Sequence, residues 1–289
     1  MKKGVLLWAA AGLALVAGAV AVCCLLAGGD KPDVRPSNES PQRTPQVSES
    51  RGISEIRELV RSHAQRSGRA QRQFTRFAGL DSSMFGNLPA ADRKLCEALQ
   101  EALDADDAEK AISISAKLMA SNNPEVRSHA VDALGWFGAE ALPELTVLMG
   151  DTDESVAQSA INAWESGVSE IDDAAVRLKI SGMAMKAIFS RDALQSIGAQ
   201  FSSAATELID AGGDANDAFD KRVEVVQSVV DMIDSSNLAL SDVGRELYEE
   251  ITGHEWLNIA EAERYLDDPD NYEPPAESEA DESKSLPGQ

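Results

Sequence analysis

The chain has 289 residues, of which 43% are apolar and only 5% aromatic, enough for one or two domains with a buried core. Its net charge of -23 is unevenly spread: residues 1–94 carry 14 Lys and Arg against 8 Asp and Glu, and residues 95–289 carry 12 against 41. So acidic a body excludes nucleic acid as a partner, because binding phosphate needs a surplus of Lys and Arg.

Ala, Leu, Val and Ile supply most of the apolar residues, and strand-like alternation between Asn-Gly turns is missing. The expected fold class is all-α. Cys23 and Cys24 sit in the apolar N-terminal run and only Cys96 in the body, so no disulfide framework holds the fold. Cys96 reads as a small apolar helix residue and not as a reactive thiol.

Residues 1–29 are predicted to be a transmembrane anchor. After Lys2 and Lys3 no charge occurs until Asp30, a run long enough to cross a bilayer as a helix. A cleavable signal peptide with Ala27 and Gly29 at its end has the same layout. A third reading, lipid attachment at Cys23 or Cys24, resembles the bacterial lipobox, but Val22 and Cys23 stand where that pattern wants Gly or Ala. Lys2 and Lys3 favour the cytoplasmic side, which places the body in the periplasm of a bacterium, or outside the membrane altogether if the segment is cleaved. Residues 30–52, with Pro32, Pro36, Pro41 and Pro45, read as a flexible tether.

Residues 53–80 are expected to form a basic amphipathic helix. Ile53, Ile56, Val60, His63, Ser67, Ala70, Phe74 and Phe77 recur at steps of three and four, while Arg57, Arg61, Arg66, Arg69, Arg72 and Arg76 point largely elsewhere. Such a helix either lies on a membrane surface or docks on the acidic body.

Residues 91–266 alternate amphipathic helical segments with short breaks. Asp106 and Glu109 have capping-box spacing, as do Asn258 and Glu261. Asn123 is placed to cap a helix that opens with Pro124 and ends near Gly138. A second helix through Ala141, Leu142, Leu145, Leu148 and Met149 stops at Gly150, and Asp153 opens the next. Val126, Ala130, Val131, Ala133 and Leu134 are answered thirty positions on by Val156, Ala160, Ile161, Ala163 and Trp164. A unit of two helices in about thirty residues cannot cover its own apolar stripe, so neighbouring units must stack.

The segment "NPEVRSHAVDALGWFGAEALPELTVLMGDTDESVAQSAINAW" resembles the HEAT repeat family, especially its bacterial form. Pro124, Val126, Arg127, Ala130, Ala133, Leu134 and Gly138 carry the likeness. The second copy keeps Asp153, Val156, Ala160, Ala163 and Gly167 but has Ala157 for the family's Arg and Trp164 for its Leu. Leu95, Leu99, Ala102 and Leu103 read as a degenerate earlier copy. The resemblance implies an α-solenoid of helical hairpins that acts as a protein-interaction scaffold.

Beyond residue 170 the repeat fades while the helical stripes continue. Leu194, Ile197, Phe201, Ala204 and Leu208 form one, Phe219, Val223, Val226, Val230 and Ile233 a second, and Leu240, Val243, Leu247 and Ile251 a third. Each spans about two heptads, which favours antiparallel packing over a coiled coil. Residues 267–289 are expected to be an acidic disordered tail.

Residues that point to chemistry are few. His63, His129 and His254 are expected on separate helices with no second ligand at metal spacing, and no nucleophile elbow or phosphate-binding loop occurs. Asp104, Asp106 and Asp107, like Asp151, Asp153 and Glu154, lack the Gly and Glu of a calcium loop and read as helix caps. Trp136, Phe137, Trp164 and Trp256 read as packing residues. No residue is assigned to catalysis, a cofactor or a metal, and the partner-binding residues are unassigned. The expected function is a non-enzymatic scaffold tethered to a bacterial inner membrane, binding a protein or peptide partner that is favoured to be basic. A self-associating envelope component is the alternative, followed by an enzyme related to the HEAT-like bilin lyases.

Overall fold

A computed structural model describes residues 51–67, 88–105, 107–213 and 215–275. The chain divides into residues 1–43 and a second unit, residues 44–289, that holds all of the described helices. The expected anchor, most of the tether, the end of the basic helix and residues 276–289 lie outside the described residues.

Among the described residues there are helices and no strands. In chain order they are α1 (Arg51–Ser67), α2 (Ala90–Asp104), α3 (Ala108–Leu118), α4 (Pro124–Phe137), a 3-10 turn (Gly138–Ala141), α5 (Leu142–Leu148), α6 (Glu154–Ser169), α7 (Ala174–Ala187), α8 (Arg191–Asp210), α9 (Ala215–Ile233), α10 (Leu238–Thr252) and α11 (Ile259–Asp267). Helix α1 thus begins inside the stretch read as tether.

The caps are the local reason the helices start where they do. Asn123 accepts the Glu125 N–H at 2.9 Å, Asp153 those of Ser155 and Val156, Asp173 those of Ala175 and Val176, and Asn258 that of Glu261. Each such bond is worth about 0.5–2 kcal/mol. Helix α3 is capped by Asp107, which accepts the Lys110 N–H, one residue later than the spacing of Asp106 and Glu109 implied. The carboxylate of Glu261 meets Arg264 and the Tyr272 hydroxyl.

Helices α4, α6, α8 and α10 form one row, each packed on the next. Helix α3 precedes α4, and α7 and α9 lie against α8 and α10 from the other row. One core runs through the whole body, from Ile56 and Leu99 through Leu134, Leu142, Trp164 and Phe201 to Tyr265. Each of those large side chains contributes about 1.5–3 kcal/mol by leaving water. The stacking expected of the repeats is therefore the source of the core.

Close approach between the two repeats falls on two glycines. Gly138 ends α4 at φ +57°, where a side chain is strained, and a Cβ on Gly167 would stand 2.9 Å from the Gly138 carbonyl carbon and oxygen. A polar rung crosses the same hairpins. Arg127 donates Nε and Nη2 to the two oxygens of Asp151 at 2.7 and 2.8 Å, and Nη1 to the Ser121 carbonyl. The Ser121 hydroxyl donates in turn to Asp92 of α2.

Helix α1 is the long-range surprise. It packs on α5, α7 and the 3-10 turn, so the second row takes in a helix from far earlier in the chain. Ile53, Ile56 and Val60 are buried, and Arg57 donates to Glu144 of α5 at 3.0 Å. The apolar stripe of α1 thus lies against the acidic body.

Three sequence readings differ from the structure. The buried face of α9 keeps Val226, Val230 and Ile233 of the expected stripe and adds Val225, Val229 and Met232, with Phe219 and Val223 only half covered. His254 sits in the bend between α10 and α11. Pro269 is buried and Tyr272 packs on the core, so the chain stays attached to the body beyond α11.

Candidate interaction surfaces

The sequence-singled groups go mostly to structure. Trp164 is fully buried, its indole N–H donating to the Thr146 hydroxyl at 3.0 Å, and Phe137 is buried nearby. Trp136 and Trp256 are half-buried against the core, the latter edge-on to Tyr248 at 5.1 Å. His254 stands edge-on to Tyr265 and Tyr272. Asp107 and Asp153 cap helices, whereas Asp151 serves Arg127 and also accepts the Asp153 N–H. Cys96 is buried, and burial with the nearby Asp92 and Glu97 charges pushes its thiol pKa up, away from reactivity. Among the described residues no three His, Cys, Asp or Glu side chains gather in a metal-binding group.

Openings between helices include two that present apolar residues. The first, of about 670 Å³, lies where α1, α5, α6 and the α7–α8 junction meet. Ile53, Val147, Met149, Ile161 and Ile188 give it apolar walls, and Phe189 stands at its edge with 79% of its surface exposed. Glu154 and Asp192, from the first turns of α6 and α8, mark its rim. Phe189 is exposed because Ile188 turns inward at the end of α7 and the next residue of the short link must face out.

The second opening, of about 920 Å³, runs between α8 and α10. Its lining includes Gly198, Ala199, Val243 and Leu247, with Glu207 and Asp210 on one side and Glu246 and Glu250 on the other. Sequence reasoning missed both openings, since each is made by elements whose pairing no local pattern encodes.

Residues 87–165 match the family model described as HEAT repeats. That segment is similar to HEAT repeats. It takes in α2 and α3, so the likeness reaches back over the degenerate copy at Leu95–Leu103. No curated protein and no solved structure matches the chain. The HEAT-like segment supplies α4, α5 and most of α6, hence Val147, Met149 and Ile161 of the first opening. HEAT repeats commonly serve as scaffolds for protein–protein interaction. Among the described residues no helix is long and apolar enough to cross a membrane, and residues 1–29 lie outside that search.

Proposed function

We propose that this chain is a non-enzymatic protein-interaction scaffold of a bacterial inner membrane, held by residues 1–29 with its body in the periplasm. The reading is carried by the apolar opening at Phe189, built in part on the HEAT-like segment. A large aromatic with 79% of its surface in water beside apolar walls is the kind of feature that interfaces bury. Its occupant is a segment of a partner protein that offers an apolar side chain to Val147 and Ile161 and a Lys or Arg to Glu154 and Asp192. The net charge of -23 favours such a basic partner and repels a second copy.

Photo-cross-linking tests this in cells making the full chain. A photoreactive phenylalanine analogue at position 189 should give a discrete adduct that is lost when Ala157→Trp fills the opening. The same analogue at Glu263, exposed on α11, should give none. Equal labelling at both positions, or none at 189, refutes the reading. Separately, the chain should resist carbonate extraction from membranes and be digested by protease added to spheroplasts.

A further inference from the structure

We infer a second docking surface, the groove between α8 and α10, whose occupant is a basic amphipathic helix of a partner protein. The inference rests on the scaffold reading and assigns it a partner chemistry at a separate site. Three observations carry it.

The groove has an apolar floor. On α8, Gly198 stands so close to α10 that an added Cβ would lie 3.2 Å from Val243 Cγ1, and Leu247 is the next neighbour. The two helices touch there, and the space above opens between Ala199, Ser203 and Thr206 on one side and Val243 and Leu247 on the other. Small side chains along α8 leave room for a third helix to approach. From Val243 to Glu250 the groove follows α10 for about 10 Å, two helical turns.

The walls are of one charge. Glu207, Asp210, Glu246 and Glu250 all line the groove, and no Lys or Arg does. The cations around it are engaged: Arg177 binds Glu207, Arg222 binds Asp270 at 3.1 Å, and Arg191 lies 3.8 Å from Glu246 with both side chains more than half exposed. The last pair is weak in water. Asp210 and Glu250 make no hydrogen bond or ion pair with any described residue, and Arg222, which lines the adjoining cavity with both of them, is itself held by Asp270, so the groove keeps a net negative charge. A floor that accepts apolar side chains between carboxylate walls fits a helix with Leu on one face and Arg or Lys at its margins.

The groove also lies apart from the first opening, with which it shares no lining residue. Occupancy of one does not exclude occupancy of the other.

The test uses the full chain in non-ionic detergent and a fluorescent synthetic amphipathic helix with one leucine face flanked by arginines. Its counterpart with glutamate for arginine is the charge control. Asp210→Asn with Glu246→Gln and Glu250→Gln should weaken binding of the arginine peptide about tenfold at low salt. Removing three charges from α2 and α3, by Glu97→Gln, Glu101→Gln and Glu109→Gln, should change it less than about twofold, since none of them lines the groove and neither helix packs on α8 or α10. Ser203→Trp, which blocks the groove without touching its charge, should also abolish binding. Equal weakening by both charge sets means diffuse attraction and overturns the proposal, as does binding that survives Ser203→Trp or an arginine peptide that does not bind. If the groove variants leave peptide binding unchanged while adducts at position 189 persist, this surface falls and the scaffold reading stands. Loss of both signals removes both.

Discussion

At Arg127 a single helix side chain joins two turns of the body, those of Ser121 and Asp151. Its guanidinium and the Asp151 carboxylate are almost fully buried, 6% and 7% exposed, and are matched by two parallel hydrogen bonds. Removing one partner strands the other charge in the interior. Arg127→Ala should therefore cost about 3–5 kcal/mol, read as a lower midpoint in thermal unfolding followed by circular dichroism. Arg127→Met combined with Asp151→Leu should recover most of that loss, because neither charge is then left alone. If the double variant is as unstable as the single one, the pair is not the source of the effect. The sequence marked Arg127 through its place in the repeat pattern, and Asp153 and Asn123 through capping chemistry. It did not mark the partner of Arg127, because Asp151 lies 24 positions away and looks like one more carboxylate at a helix start.

Helix starts and most stripes were legible because capping and the 3.6-residue period are local. The stripe of α9 holds at Val226, Val230 and Ile233, but Val225, Val229 and Met232 are buried beside it while Phe219 and Val223 are half covered, a broadening that the packing of α9 against α8 and α10 decides. Docking of α1 on the acidic body was one of the two readings of its sequence, but its place between α5 and α7 was not legible. Its contacts join residues far apart in the chain, as Arg57 and Glu144 show with their separation of 87. Two substitutions probe this packing. Ile56→Ala removes a fully buried side chain of α1 and should cost about 2–5 kcal/mol in denaturant unfolding. Gly167→Ala drives a methyl group into the Gly138 backbone and should cost about 1–3 kcal/mol. A neutral Gly167→Ala would show that the two repeats slide apart without penalty.

For the molecule as a whole, stacking was foreseen and the aromatic end was not. Tyr248, Tyr265 and Tyr272 come together edge to face beside His254, closing the array beyond α10. Burial is the main cause that raises all three phenol pKa values above the ordinary one. A raised folded value means the native state holds its proton longer than the unfolded chain. The stabilising effect is complete below the ordinary tyrosine pKa of about 10 and fades as pH rises toward the folded values. Thermal midpoints should therefore be insensitive to these groups near neutrality and fall above about pH 10, with Tyr248→Phe showing a shallower alkaline decline. An unchanged decline in that variant would assign the alkaline lability elsewhere.

The insertion of α1 has a mechanical meaning. Traction on the chain ahead of Arg51 is borne first by Ile53 and Ile56, a wedge seated in the middle of a row, so the load enters the array from within instead of unzipping it from an end. Drawing out that wedge also removes the Ile53 wall beside Phe189. Optical-trap stretching between residues 44 and 289 should show an early, separate extension for α1 that Ile56→Ala shifts to lower force. Tension applied at Arg51 would thus open the pocket beside Phe189.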